Sequence, residues 1–453
     1  MKGMNIKMNN RNNRNNRITR VKKSRKRKLI KKNVYDKKLI KSLSIFIILL
    51  LIIFIGIIIF NQIKYLSNIN TLKFSKEKIE NNNYNTSNQT SSENNITENK
   101  KEPELSDISF TMCAIGDVMC HNTQYWDAYN KTTNTYDFSY VFDDIRSYTS
   151  QPDITIGSLE TSFAGEERGY SNYPRFNTPD ALAYGLKEIG VDVLSTAGNH
   201  CLDMGFSGLS RTIDVLDSAG ISHVGTYKTQ NERDTLLIKN VKGVKIAFIN
   251  YTYGTNGIPL PSDKPFCVNL IDKNLIKNDI ESAKSQNVDL IVACMHWGTE
   301  YRTTANDEQK DLADFLFQNG VDIVLGNHPH TLEPMEKRTI TLADGSTKDG
   351  FVIYALGNFI CDQNAENTRN SIILNLTITK HADEKISIDK VEYTPIYMYK
   401  NPSLSNKRMK LLDIEKTLAN YENGTDTSIG QSNYSYLKEQ LEKIKSIVGE
   451  EIV

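Results

Sequence analysis

The chain has 453 residues, of which 39% are hydrophobic and 24% charged, a composition that fits a globular protein of two or three domains. Its formal net charge of +1 excludes a uniformly basic or acidic protein, but the charges are unevenly distributed. Residues 1–41 contain 17 Lys and Arg and one acid, Asp36, so this segment carries +16 and the remainder carries −15. Such a basic arm is typical of either a nucleic-acid contact or a solvated tail.

An apolar run follows the basic arm. From Leu43 to Phe60 the sequence is LSIFIILLLIIFIGIIIF, which has no polar stripe and is long enough to cross a ~30 Å hydrocarbon core as a helix. We therefore predict a transmembrane helix at residues 42–63, with the Lys/Arg-rich arm in the cytoplasm and the main domain outside. No cleavage site with small residues follows, which favours an uncleaved signal anchor. The span makes DNA binding by residues 1–41 a weak alternative, so we expect no nucleic-acid partner.

The rest of the chain divides into three predicted parts. Residues 64–105 are rich in Asn, Ser, Thr and Glu, cannot offset the entropy of ordering, and are predicted to form a disordered stalk. Residues 106–400 are predicted to be the extracytoplasmic domain, and residues 401–453 a C-terminal helical segment. The six cysteines fit no disulfide framework, and we interpret them mostly as small buried residues.

The predicted domain alternates short apolar runs with amphipathic helices, a pattern typical of an α/β fold. In one predicted helix, residues 306–318, Asn306 can cap the N-terminus and Gly320 follows the C-terminus. After Ser371 the pattern changes to two strands separated by residues 381–384, which predicts a β-hairpin. Two amphipathic helices are predicted between residues 405 and 449.

Polar residues gather where the predicted strands end, at GDVMCH, GSLET, AGNHCLD, MHWGTE and GNHPH. Five of the seven histidines stand there, with Asp117, Glu160 and Asn199. Each residue alone has a structural explanation, such as a helix cap or a turn. Together, this many imidazole, carboxylate and amide groups exceed the ligands of one zinc ion. They favour two divalent ions, Mn, Zn or Fe, that share a bridging carboxylate and activate water for attack on phosphorus.

The H-x-H of GNHPH directly follows the apolar run VDIVL. We predict that the backbone there is still nearly extended, so that alternate side chains point the same way. His328 and His330 would then both face one cleft, with Pro329 restricting the backbone between them.

The motifs GDVM, SLETSF, AGNHCLDMG, HWGTEY, GNHPH and ALGNFI, in this order and spacing, resemble those of a known family. It is the CapA family of bacterial capsule, or poly-γ-glutamate, synthesis proteins, a branch of the calcineurin-like metallophosphoesterase superfamily. The resemblance covers about residues 108–399 and implies an α/β, metallophosphoesterase-like sandwich of two mixed β-sheets flanked by helices. It also implies a two-metal cleft in which His200 is the proton donor or transition-state stabiliser. The implied metal ligands are Asp117, Glu160, Asn199, His296, His328 and His330.

The chain departs from this pattern at three positions. Met119 replaces the histidine of the superfamily's opening D-x-H, and His121 follows two places later, which leaves open whether His121 reaches the metal. Glu160 stands where the superfamily has a bridging Asp, and Ser158 stands where the family usually has Asn.

Two functions fit these features. The first is an outward-facing phosphoesterase or related metal hydrolase that acts on a cell-envelope intermediate in capsule or poly-γ-glutamate biosynthesis. The second is a non-hydrolytic subunit of a polymer synthesis and export complex that binds an anionic polymer, because carboxylates bind metals as phosphates do. For either function, the predicted partners are the membrane, the anionic polymer or its precursor, and polymer-synthase or export subunits.

Overall fold

The computed structural model describes residues 106–341 and 345–451. The predicted basic arm, transmembrane helix and stalk lie outside these residues. Within the described ranges, none of the helices combines the length and the apolar character that a membrane crossing needs.

β-Strands occur along most of the described part of the chain. They are β1 (Ile108–Val118), β2 (Tyr129–Asn130), β3 (Thr135–Tyr136), β4 (Ile154–Leu159), β5 (Val193–Ser195), β6 (Ser222–Val224), β7 (Leu237–Val241), β8 (Val244–Thr252), β9 (Leu290–His296), β10 (Ile323–Asn327), β11 (Met335–Thr341), β12 (Thr347–Ile353), β13 (Asn358–Ile360), β14 (Asn370–Lys380), β15 (Ile386–Lys400) and β16 (Met409–Asp413).

Helices connect many of these strands. The α-helices of the described residues are α1 (Asn122–Ala128), α2 (Arg146–Ser150), α3 (Ala181–Glu188), α4 (Gly205–Ala219), α5 (Gln230–Arg233), α6 (Lys273–Ser285), α7 (Asp307–Asn319), α8 (Ile414–Glu422) and α9 (Gly430–Val448). Short 3₁₀ helices lie at Ser139–Phe142, Glu166–Arg168 and Pro265–Cys267.

The strands form two large mixed sheets. The first has the order β16-β15-β14-β1-β4-β5-β6, with β13 beside the end of β1. In it, β1, β4, β5 and β6 run parallel, whereas β14 to β16 add antiparallel neighbours on the other side of β1. The second has the order β11-β12-β10-β9-β8-β7, with a parallel centre and an antiparallel strand at each edge.

The two sheets pack face to face, and their central strands are buried on both sides. Phe110 and Met112 of β1 share a hydrophobic cluster with Val292 of β9, in the core between the sheets. Successive side chains of a strand point to opposite faces. Ile115 of β1 therefore packs with α3 and α4 outside the first sheet, and Ala293 of β9 packs with α6 and α7 outside the second. The predicted α/β fold with two mixed sheets flanked by helices is confirmed.

Local signals in the sequence predicted several elements well. The Asn306 side chain accepts a hydrogen bond from the backbone N–H of Gln309 at the start of α7, and Gly320 ends this helix with a left-handed φ of 116°. The predicted hairpin is β14 and β15, in which Lys380 pairs with Ile386. Among the described residues all six cysteines are free thiols, and all but the partly buried Cys201 are buried.

The parallel strands of both sheets end on the same side of the molecule. In the first sheet, Asp117 of β1 pairs with Ser158 of β4, so Glu160 follows one residue after the end of the neighbouring strand. In the second sheet, Asn327 of β10 pairs with His296 of β9. The loops that follow these strand ends meet at one cleft, as open α/β sheets generally arrange their functional loops.

Candidate metal centre

The structure brings the sequence-predicted site residues together from both sheets. Each of them is at most 4% exposed, although all are polar or ionisable. They are Asp117, Glu160, Asn199, His200, His296, His328 and His330. Buried polar groups of this kind need partners, so their arrangement determines what the cleft can bind.

Five of these residues form two overlapping groups that could each hold a metal ion. One group contains Glu160, His296 and His328, and the other contains Asp117, Glu160 and His330; within each group the ligand atoms lie within 4.8 Å of one another. Glu160 Oε1 lies 3.7 Å from His296 Nε2, and Glu160 Oε2 lies 3.5 Å from His330 Nδ1. One carboxylate thus contributes an oxygen to each side of the cleft.

Asn199 extends the first group. Its Oδ1 lies 2.9 Å from His296 Nε2, and its Nδ2 donates to Asn256 Oδ1 at 3.2 Å. The bond to Asn256 orients the amide, so that the amide oxygen faces His296. Asn199 is therefore placed as a further oxygen donor beside Glu160, His296 and His328.

The donor atoms fit a divalent cation centre. Within the described part of the chain, five buried atoms in these groups have no hydrogen-bond partner: Asp117 Oδ1, both oxygens of Glu160, His296 Nδ1 and His328 Nδ1. Leaving a buried polar atom unsatisfied costs about 1–3 kcal/mol, and more for a charged group. Ions bound between these atoms would satisfy them, and a mixed carboxylate, imidazole and amide set suits Mn, Zn or Fe.

Burial shifts the pKa values of the acids and the imidazoles in opposite directions. It raises the pKa of Asp117 to about 7 and that of Glu160 well above its usual value, with the Asp117 charge adding to the shift of Glu160. Burial lowers the pKa of His328 to about 4 and that of His330 to about 3. The imidazoles are therefore neutral near pH 7, which is the form that binds metals, and a bound cation would favour ionised carboxylates.

His200 is held by a carboxylate of its own. Its Nδ1 lies 2.8 Å from Asp203 Oδ2, which also accepts a hydrogen bond from the backbone N–H of Phe176 at 2.7 Å. The Phe176 ring meets the His200 ring edge-on at 4.8 Å. The other ring nitrogen, Nε2, faces no carboxylate among the described residues and lies 3.4 Å from Asn256 Nδ2. Asp203 lies in a motif that the sequence analysis noted, but it was not predicted as this partner.

The predicted extended backbone at the H-x-H is wrong. Strand β10 ends at Asn327, and both histidines then adopt positive φ, 100° at His328 and 62° at His330. The turn lets the backbone N–H of His328 donate to Asp117 Oδ2 at 3.0 Å. The carbonyl of Pro329 accepts a bond of 2.7 Å from the backbone N–H of Tyr301. Both histidines still reach Glu160, because a tight turn, and not strand alternation, directs them.

His121 does not join either metal-binding group in the described structure. Its Nδ1 accepts a hydrogen bond from the backbone N–H of Asp362 at 3.1 Å, and its ring packs edge-on against Phe176 at 5.5 Å. Burial lowers its pKa to about 4. In this arrangement the backbone of Asp362 and the ring of Phe176 hold the His121 side chain.

Besides Asp203, three site residues were not predicted from the sequence. Asn358 Oδ1 lies 3.1 Å from His330 Nδ1, and Asn358 belongs to the ALGNFI motif, which was noted without a role. Asn256 and Tyr253 lie in the loop after β8, a segment for which the sequence predicted no site residue. The Tyr253 ring is 4.5 Å from the His328 ring.

The fold and the cleft define an α/β protein with a candidate metal centre between two mixed sheets. A family model described as "Bacterial capsule synthesis protein PGA_cap" matches residues 111–363. The chain belongs to this family.

Named relatives agree with this membership. The chain is 28% identical over 273 residues to the capsule biosynthesis protein CapA of Bacillus anthracis, covering 58% of this chain and 62% of that protein. It is 30% identical over 236 residues to the PGA biosynthesis protein CapA of Bacillus subtilis, covering 49% of this chain and 57% of that protein. The matches thus span about three fifths of the length of these relatives.

Two nucleotidases are among the solved structures whose backbone is similar to that of this chain. The 5′-nucleotidase precursor from Thermus thermophilus is 16% identical, covers 75% of this chain and 59% of its own, and has a TM-score of 0.39. The NAD nucleotidase of Haemophilus influenzae is 14% identical, covers 75% of this chain and 61% of its own, and has a TM-score of 0.41.

Proposed function

We propose that this protein is a metal-dependent hydrolase of a phosphoester intermediate in capsule or poly-γ-glutamate biosynthesis. The observation that carries the proposal is the position of Glu160 between two groups of buried ligands, with both carboxylate oxygens free of other partners. The names of the relatives support the biosynthetic context. The motif resemblance to metallophosphoesterases supports the class of reaction.

In this proposal, one set of residues holds the metal ions and another residue donates the proton. Asp117, Glu160, Asn199, His296, His328 and His330 would hold two divalent ions, Mn, Zn or Fe. When bound, such ions activate water and polarise phosphoryl oxygens. His200, oriented by Asp203, would donate a proton to the leaving-group oxygen, because its Nδ1 is committed to the carboxylate and its Nε2 is not.

Turnover by the metal-loaded protein tests the reaction. Full-length protein purified in detergent and loaded with Mn, Zn or Fe is expected to hydrolyse members of a panel of phosphomonoesters and phosphodiesters. His200→Ala is expected to lower kcat by about 10²–10⁴-fold, the usual contribution of a general acid, with metal content unchanged. If no metal supports turnover while metal-loaded protein binds polyglutamate, the chain is a non-hydrolytic, polymer-binding subunit of a synthesis and export complex.

We also propose that residues 42–63 anchor the protein once in the cell membrane, with the main domain outside. The charge of +16 before the apolar run supports this orientation. Its expected partners are the membrane, an anionic envelope polymer or its precursor, and polymer-synthase or export subunits. Protease added to intact protoplasts is expected to digest the domain and to leave a small basic fragment. If the domain is fully protected from protease, the predicted topology is wrong.

A further inference from the structure

The loop after β8 reaches the metal centre without contributing a histidine or an acid to it. The backbone N–H of Tyr253 donates to the carbonyl of His296 at 3.0 Å, which ties the start of this loop to the end of β9. Further along, Asn256 has a φ of 50° and accepts the bond from Asn199. The loop therefore lies against two predicted ligands of the first metal-binding group.

Tyr253 places an aromatic ring over this group while part of the side chain stays open to solvent. The ring lies 4.5 Å from the ring of His328 and stacks on that of His296 at 6.4 Å. Tyr253 is 49% exposed, whereas the histidines beneath it are buried. A molecule bound above His296 and His328 would therefore lie beside Tyr253.

The Tyr253 hydroxyl lies beside the metal centre, near the Asn199 side chain. A phenol has one proton to donate as well as lone pairs to accept with. The Tyr253 hydroxyl therefore has a proton that it can donate to a ligand in the cleft.

We propose that the Tyr253 hydroxyl donates a hydrogen bond to a tetrahedral oxyanion, either phosphate or the phosphoryl group of a substrate, bound at the metal centre. The proposal rests on the proposed function, because it assumes that metal-bound phosphoryl oxygens lie in this cleft. A donor that is already in place above the ligands, on a partly apolar surface, is well suited to stabilise such an anion. Tyr253 would thus be the binding residue that the second sheet adds through β8.

Binding of inorganic phosphate tests the role of Tyr253 separately from catalysis. Full-length, Mn-loaded wild type, Tyr253→Phe and Tyr184→Phe are titrated with phosphate by calorimetry. Tyr253→Phe keeps the ring over His328 and is expected to weaken phosphate binding about tenfold, a loss typical of a hydrogen bond to a charged group. Tyr184 is a matched control, because it is 47% exposed and lies on α3, outside the first sheet, so Tyr184→Phe is expected to bind phosphate within about twofold of wild type.

The results separate this inference from the proposed reaction. Equal phosphate affinity in wild type and Tyr253→Phe would overturn the inference, as would an absence of phosphate binding to metal-loaded wild type. Loss of metal from Tyr253→Phe would also overturn it, because the hydroxyl would then support the ligands and not the anion. Phosphate binding that depends on Tyr253 in a protein without turnover would uphold the inference and refute the hydrolase.

Discussion

Glu160→Gln is expected to leave the protein with little or no bound divalent metal. Glu160 belongs to both ligand groups, so its replacement removes a charged oxygen from each of them at once. The variant is expected to fold normally, because glutamine has nearly the same shape and burial already disfavours the charged form of Glu160. Metal per protein, measured by elemental analysis after dialysis, tests this, together with a thermal melt of the metal-free proteins.

A graded comparison makes the test sharper. His330 belongs to only one group, so His330→Ala is expected to remove about half of the metal that Glu160→Gln removes, and to abolish complementation of polymer production. His381 is a control far from these ligands, where its two ring nitrogens contact Asp107 and Ser387, each at 2.8 Å. Full metal in Glu160→Gln, or a His330→Ala protein that behaves like His381→Ala, would show that the shared-carboxylate interpretation is wrong.

The position of the cleft was predictable from the sequence because polar residues interrupt apolar strands at their ends. Asp117, Glu160 and His296 each stand at or just after the end of a buried strand, and parallel strands deliver such ends to one side of a sheet. The type of element was also predictable where local signals agree, as in α7 with its Asn306 cap.

The backbone geometry of the H-x-H was not predictable in this way. Strand alternation explains spacing along a strand, but β10 ends one residue before His328. Non-glycine residues rarely adopt positive φ, and doing so at a functional site costs on the order of 1–3 kcal/mol. At His328 the bond from its backbone N–H to Asp117 helps to hold this conformation, and that partner is 211 residues away in the chain.

The loop after β8 was missed for a different reason. Tyr253 and Asn256 belong to residue types that are common in turns and on surfaces, so their sequence gives no chemical signal. Only the pairing of β8 with β9, in which Thr252 lies beside His296, shows that this strand also ends at the cleft. The order of strands within a sheet depends on contacts between distant segments, which the spacing of motifs does not reveal.

The C-terminal helices show the same limit. Their amphipathic pattern predicted helices, but not the surface that they cover. In the structure α8 and α9 contribute Ile414, Leu437 and Ile444 to the same hydrophobic cluster as β1 and β9. The Gln440 side chain also accepts a bond of 2.9 Å from Asn370 Nδ2, at the start of β14. The family match ends at residue 363, so β14, β15 and these helices complete the core with residues outside it.

Leu437→Ala is expected to destabilise the described domain by about 2–5 kcal/mol, the usual cost of removing a buried leucine side chain and leaving a cavity. Leu437 is 1% exposed and belongs to the hydrophobic cluster that β1 and β9 share. Lys438 is the neighbouring exposed residue, and Lys438→Ala is expected to change stability by no more than about 0.5 kcal/mol. Urea unfolding of the full-length variants measures both values.

Truncation after Asp413 tests how much α8 and α9 together contribute to the stability of the domain. It removes several buried side chains, each contributing about 1.5–3 kcal/mol, from a domain whose total stability is on the order of 5–15 kcal/mol. The truncated protein is therefore expected to be insoluble, although every predicted metal ligand remains. A soluble truncated protein with full metal, or a Leu437→Ala protein as stable as Lys438→Ala, would mean that the core is stable without α8 and α9. The metal centre depends on these helices only through the core, because its ligands all precede residue 331.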